Sequence, residues 1–302
     1  MSYLYFPGCS LSSTGRAYDE SLRYVFRALN LPMDEVKDWN CCGATAYMSI
    51  SELQAIALSA RNLALAEQQK GDQKTVDVVA PCAACYLVLI KAQRFLSESE
   101  EISTKVNAAL AAANLSYRGD VKVRHPLDIL ANDVGLEKIS AATKRPLKGL
   151  KVASYYGCQI VRPYALFDDQ FNPQSMDQLL KAVGTESIDW PLKTRCCGGT
   201  LTGTIQDVGL RLSYLLLKEA KKRHADVIAT ACPLCQFNLE CFQSKMGRVY
   251  GEEIQIPVVY FTQLLGLALG GRRRQLALQR LFVPLEPTLA VAEAKGAQNV
   301  NP

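Results

Sequence analysis

Four short apolar runs in this chain stop abruptly at a cysteine: "YLYFPGCS" (3–10), "DVVAPCAAC" (77–85), "VASYYGCQ" (152–159) and "DVIATACPLC" (226–235). Each has the length of a buried strand, and each leads into a stretch whose apolar residues recur every three or four positions. Ser51 opens one such helical run, which lasts to Glu67, with Gln54 placed for a capping box and Gly71 for the stop. Val208 to Lys222 shows the same rhythm, and residues 95–118, rich in Ala, Ser and Glu, read as a further helical insertion. Val258 to Leu269 is apolar but interrupted by Thr262, Gln263 and Gly266. It reads as a buried strand running into a helix, too short and too polar to span a bilayer. Strands alternating with helices predict an α/β fold, in which a mostly parallel sheet is flanked by helices.

The pattern occurs twice. Cys9, Cys41-Cys42 and Cys82-Ala-Ala-Cys85 are followed by Cys158, Cys196-Cys197 and Cys232-Pro-Leu-Cys235. Between them lie 31 and 39 residues in the first half, and 37 and 34 in the second. "VRHPLDIL" (123–130) answers "VVYFTQLL" (258–265), a β-like start passing into an apolar helix. An internal repeat of this kind predicts two homologous, pseudo-symmetric domains, 1–138 and 150–283. The small and basic residues of 139–149 form the expected linker. Residues 284–302 lack a core pattern and are expected to be a mobile tail.

Composition narrows the class. The 302 residues are 49% apolar and 21% charged, ordinary for a soluble globular protein, and 34 basic against 29 acidic side chains leave a net charge of +5. That excess suits an anionic ligand and is too weak to argue for nucleic acid. "MSYLYFPGCS" has no basic leader or signal-length apolar run, so a cytoplasmic protein without a transmembrane segment is expected. In a reducing compartment, eleven cysteines point to metal or redox chemistry.

In open parallel sheets, ligands bind beyond the carboxyl ends of the strands, where these cysteines fall. Five can therefore converge in each half. Zinc takes four tetrahedral ligands and leaves one thiol over. Adjacent cysteines suit an object with several metal atoms, which favours iron–sulfur chemistry. Zinc, and disulfides or free thiols, stay as alternatives.

The duplicated Cys, Cys-Cys-Gly, CxxC series, together with "YFPGCSLSS", "ACPLCQFNLE" and "PVVYFTQLLGLALG", resembles the CCG (cysteine-rich) domain family and, within it, the B subunits of heterodisulfide reductases. The resemblance implies two non-cubane [4Fe-4S] clusters, one per domain. Their ligands would be Cys9, Cys41, Cys42, Cys82 and Cys85, then Cys158, Cys196, Cys197, Cys232 and Cys235. It also implies cleavage or formation of a disulfide held between the clusters, each passing one electron to one sulfur. The implied partners are a ferredoxin-like iron–sulfur subunit and a flavoprotein subunit. The 39-residue interval of the first half and the Ala-Ala inside the first CxxC depart from the family pattern without removing a ligand.

What is missing agrees. No Walker A, dinucleotide fingerprint, HExxH or Ser-His-Asp set is present, so no flavin or nicotinamide site is expected in this chain. Of the two histidines, His224 is read as a solvated helix-end residue and His125 as a packed, hydrogen-bonded one. Cys241, six residues past Cys235, is read as an apolar buried thiol. Arg16, Arg162, Lys193 and Arg195 are candidates to line an anionic-substrate pocket; Arg272-Arg273-Arg274 is read as solvated or partner-facing. Two other functions fit the sequence. One is an electron-transfer subunit of a respiratory enzyme acting on a hydroxyacid, succinate or quinone; the other is a zinc-stabilised assembly module.

Overall fold

The computed structural model describes residues 3–44 and 47–298. Strands β1 (Tyr3–Tyr5), β2 (Met33–Glu35), β3 (Val76–Val79) and β4 (Val121–Arg124) form one sheet in the order β2-β1-β3-β4. Strands β5 (Lys151–Tyr155), β6 (Glu186–Ser187), β7 (Val227–Thr230) and β8 (Val258–Tyr260) form the other in the equivalent order β6-β5-β7-β8. Every pairing is parallel; Leu4 stands opposite Val78 in the first sheet and Val152 opposite Val227 in the second. All of β1 and β7 is buried, which explains why these strands read as unbroken apolar runs.

The helical periods also appear, as Glu52–Gln69 and Gln206–Lys222, and the insertion contains Glu100–Ala111. The Ser51–Gln54 capping box does not form. The Ser51 side chain accepts no cap hydrogen bond, and the turn is closed by the Ala55 N–H on the Ser51 carbonyl.

The compact units cut across the limits 1–138 and 150–283 of the sequence repeat. One unit joins the stretch ending at Ser13 to Asn30–Pro126; the other joins Thr14–Leu29 to everything from Leu127 onward. The helix Arg16–Ala28 therefore belongs to the second unit. Its apolar stripe of Tyr18, Leu22, Val25 and Phe26 is buried there, and it packs on the helix Phe261–Ala268. Ser21 and Thr262 share a 2.7 Å hydrogen bond, and Tyr18 stacks on Tyr260 at 4.5 Å. In the same unit the helix Ser175–Ala182 packs on segments 129–134 and 136–142. The helix after β1 thus pairs with the one after β8, and the helix after β5 with those after β4.

The expected linker, 139–149, is mostly at the surface but tied down: Ile139 is buried, and the Lys144 and Arg145 N–H groups both donate to the Ala268 carbonyl. The expected tail instead carries the helix Glu286–Gln298, preceded by the fully buried Leu285. Among the described residues no helix is long and apolar enough to cross a membrane.

Candidate functional site

Each sheet presents its cysteines at the carboxyl ends of its two central strands and in the loop after a neighbouring edge strand. In the first unit Cys9 follows β1, Cys82 caps the helix Ala83–Glu98 just after β3, and Cys85 sits in that helix's first turn. Cys41 and Cys42 come from the loop after β2. The side chains meet in a fixed order: Cys9 with Cys41, Cys41 with Cys42, Cys42 with Cys85, and Cys85 with Cys82.

The second unit repeats that order: Cys158 with Cys196, Cys196 with Cys197, Cys197 with Cys235 at 3.5 Å, and Cys235 with Cys232. In both rows the last three thiols are buried, while Cys9 in one and Cys196 in the other are exposed. Among the described residues no group of three or more His, Cys, Asp or Glu is arranged to hold a single metal ion. The contacts within each row are pairwise, sulfur to neighbouring sulfur.

Backbone turns make these contacts possible. Gly8 and Gly157, each just before the first cysteine of its set, have φ of +65° and +69°. A Cβ at Gly8 would lie 2.9 Å from the Cys85 sulfur, and one at Gly157 would lie 3.1 Å from that of Cys235. Only glycine gives both the left-handed turn and the close approach of main chain to sulfur.

The Cys-Cys-Gly loops are tied to the helix that follows. Ser59 Oγ donates to the Cys42 carbonyl at 2.5 Å, and Ser213 Oγ to the Cys197 carbonyl at 2.8 Å, both serines being fully buried. In the first unit Asn62 also clasps Asn40, accepting from its N–H at 2.9 Å and donating to its carbonyl at 3.0 Å. In the second, Asn238 Nδ2 points at the Cys197 sulfur at 3.4 Å, with its amide oxygen held by the Thr202 hydroxyl at 2.8 Å. Sequence reasoning missed Ser59, Ser213 and Asn238. A polar residue on the inner face of an amphipathic helix was the available signal, and it does not say which carbonyl or sulfur the residue meets.

Crowded thiols divide their protons unequally. The Cys85 thiol, donating to Cys82, helps to bring Cys82 down to about 7, while Cys85 itself, facing Cys42 and Cys82, is pushed well above the usual thiol range. In the second unit Cys196 is held far below that range by the thiols of Cys158 and Cys197, with the Gly198 N–H and the Arg162 charge adding to the effect. Cys158 rises correspondingly. Tyr155, buried behind this row, is pushed up by burial and by four of its sulfurs, and its hydroxyl donates to the Arg195 carbonyl at 2.6 Å.

The basic candidates separate in the structure. Lys193 has its ammonium committed to a buried ion pair. Its side chain is 4% exposed and pairs at 3.2 Å with the Asp177 carboxylate, which also accepts from Tyr156 and Ser187. The Lys193 carbonyl in turn accepts the Tyr156 and Gly157 N–H groups, so this buried pair braces the turn that carries Cys158. Arg16 pairs with Glu20, and Arg273 with Glu286. Arg162 and the exposed Arg195 stay beside Cys196. His125 is fully buried, with Nε2 3.1 Å from the Pro81 carbonyl; His224 is exposed just past a helix end. Cys241 is half-buried, and burial pushes its thiol up to about 11.

Comparison with known proteins recovers the sequence repeat. A family model described as "Cysteine-rich domain" (CCG) matches residues 3–90 and again 152–240. The "8-methylmenaquinol:fumarate reductase membrane anchor subunit" of Wolinella succinogenes is 32% identical, over 91% of this chain and 95% of its own length. A protein of Archaeoglobus profundus, named as similar to the B subunits of heterodisulfide reductases, is 31% identical over 89% of this chain and 91% of its own. The B subunit of the ferredoxin:CoB-CoM heterodisulfide reductase of Methanosarcina mazei is 29% identical over 91% of each. Among solved structures, a hypothetical protein from Helicobacter pylori shares the fold with a TM-score of 0.77 at 16% identity. That match covers 94% of this chain and 52% of the other, so this chain spans about half its length.

Proposed function

We propose that this chain, which belongs to the cysteine-rich domain (CCG) family, is the iron–sulfur subunit of a heterodisulfide reductase-like complex that cleaves or forms a disulfide. The observation that carries the reading is the row of five thiols, repeated in the same order in both units.

The donors fit iron–sulfur clusters in kind and number. They are all sulfur, there are five in each row, and three of each five are buried. Cys9, Cys41, Cys42, Cys82 and Cys85 would hold one cluster, and Cys158, Cys196, Cys197, Cys232 and Cys235 the other, both of the non-cubane [4Fe-4S] type. When bound, two one-electron centres would supply the pair of electrons that a disulfide exchanges with two thiols.

The remaining work falls to the chain. Gly8 and Gly157 let main chain close over the sulfurs, and Ser59 and Ser213 hold the paired cysteines in register. Exposed Cys9, at the end of its row, and exposed Cys196, next to the end of the other, leave each row open to a small thiol, a disulfide or a thiol-bound sulfur. Electrons would arrive through a ferredoxin-like iron–sulfur subunit and a flavoprotein subunit, in the cytoplasm. Ile50 and Ile205, at the start of the helices after the two Cys-Cys-Gly loops, are 78% and 58% exposed and suit coverage by such a partner.

A second reading has one specific observation behind it, the similarity to a relative named as a quinol:fumarate reductase membrane anchor subunit. In that case the same centres would pass electrons between a quinol and a partner enzyme.

The test is iron, acid-labile sulfide and zinc measured on chain purified without oxygen, with EPR after oxidation in the presence of thiol. About eight irons and eight sulfides, with a thiol-dependent signal, support the proposal. About two zincs without sulfide would refute it in favour of an assembly module. With both clusters present and partners added, Cys42→Ala and Cys197→Ala should each halve the iron and stop disulfide turnover. Quinol oxidation without disulfide turnover would select the second reading.

A further inference from the structure

We propose that Arg162 makes the two thiol sites electrically unequal, so that the centre of the second unit takes up an electron before that of the first. The inference rests on the cluster reading above and goes beyond it in assigning an order.

Arg162 lies one helical turn past Cys158, its N–H donating to the Cys158 carbonyl at 3.2 Å. Its guanidinium reaches across to donate to the carbonyl of Thr194, two residues before Cys196. A single cation therefore bridges the two loops that carry Cys158 and Cys196, and its charge acts on the Cys196 sulfur. The residue is half-buried, which weakens screening by salt, and among the described residues no carboxylate is paired with it.

The first unit lacks an unpaired charge of this kind: Arg61, which donates to the Asp38 carbonyl and to Asn40 Oδ1 beside Cys41, is paired with the Asp38 carboxylate. The equivalent position, four residues after Cys9, is Ser13, whose hydroxyl donates to the Cys9 carbonyl at 2.8 Å. Neutral donors nearly balance between the units. Gly43 and Gly198 each direct an N–H at the first thiol of their Cys-Cys pair. The Ser10 hydroxyl faces Cys82 in one unit, and the Asn238 amide faces Cys197 in the other. With those offset, the cation is what distinguishes the sites. A positive charge beside thiolate ligands favours the more electron-rich state of the centre they hold. Each centre gains one electron from a one-electron reductant, with no bond broken and no proton required.

The experiment uses the full chain, loaded anaerobically and assayed for iron and sulfide, then titrated with dithionite in the presence of redox mediators. Wild type should reduce in two steps, and the step at higher potential should be the one that Cys197→Ala removes. Arg162→Gln should lower that step alone, changing its reduced-to-oxidised ratio at fixed potential at least tenfold, or about 59 mV for one electron. Arg162→Lys should restore most of the shift, whereas a purely structural role would show as lost iron with the potential unmoved. Equal potentials in wild type, or a higher step removed by Cys42→Ala, would overturn the inference even if Arg162→Gln failed to load. Wild type that takes up no iron–sulfur cluster would instead overturn the functional reading, and this inference with it.

Discussion

Replacing Glu240 with Gln should make the protein more stable at neutral and alkaline pH and slightly less stable near pH 5. Glu240 lies on the helix Pro233–Cys241 and is 2% exposed. Its Oε1 accepts the N–H groups of Phe282 at 2.9 Å and Val283 at 3.3 Å, while the Gln236 amide donates to Oε2. Burial pushes the carboxyl up from 4.5 to about 7, against the pull of those hydrogen bonds. The folded state therefore holds the Glu240 proton more tightly than the unfolded chain does. Its contribution is most favourable below about pH 4.5 and is lost as the pH rises through about 7. At about 1.4 kcal/mol for each tenfold change in proton affinity, that rise makes the loss about 3 kcal/mol. Gln cannot ionise and keeps an acceptor for the two backbone N–H groups. It would also set two amide NH2 groups face to face at Gln236, at a cost of about 1 kcal/mol. The expected net gain is about 2 kcal/mol at pH 8, turning into a small loss at pH 5. Urea unfolding of wild type and Glu240→Gln, followed by circular dichroism at both pH values, measures the difference, in which other titrating groups cancel. An identical offset at pH 5 and pH 8 would refute the argument from burial.

Three further outcomes are expected. Lys193→Met should destabilise the second unit by about 3–5 kcal/mol, because it strands the Asp177 carboxylate, 1% exposed, without its cation. Pairing it with Asp177→Asn should recover much of that loss in the same unfolding assay. Gly157→Ala and Gly8→Ala each place a methyl against a cysteine sulfur and force a left-handed alanine at about 1–2 kcal/mol. Each should lower metal content in its own unit by about half of the total while leaving the circular dichroism unchanged, with Gly8→Ala the more severe. Ser213→Ala removes a buried hydrogen bond to the Cys197 carbonyl, about 1–3 kcal/mol with the acceptor left unsatisfied. It should shorten the lifetime of the second centre under a chelator without touching the first.

Much of the site is legible in one dimension because its parts are local. The strand-to-cysteine junctions, the Cys-Cys-Gly pairs and the CxxC helix starts are short-range patterns, and the repeat doubles each signal. His125 and His224 are legible too, since a histidine in an apolar run and one in a charged helix end have different surroundings within a few residues. Lys193 is not. Its neighbours Leu192 and Thr194 say nothing of Asp177, which arrives from another helix. The tail escapes for a related reason: in the run 281–285, Leu285 is buried while Phe282 is exposed, and neighbouring residues do not say which of them will be.

Short-range pattern is enough to specify the duplication, the parallel α/β character of each half and the placing of the ten cysteines after its strands. Backbone conformation and side-chain period are properties of neighbouring residues, so these features needed no knowledge of the whole. Which helix packs on which emerges only in three dimensions. The stripe on Arg16–Ala28 states that it must be buried but not against what, and it is buried on Phe261–Ala268, in the unit that holds the second sheet. Tertiary structure also decided that Arg162 stands over the Cys196 loop while Ser13 holds the equivalent place after Cys9. Apolar burial is non-directional and a charge acts through space, so neither partner is written next to the residue that needs it.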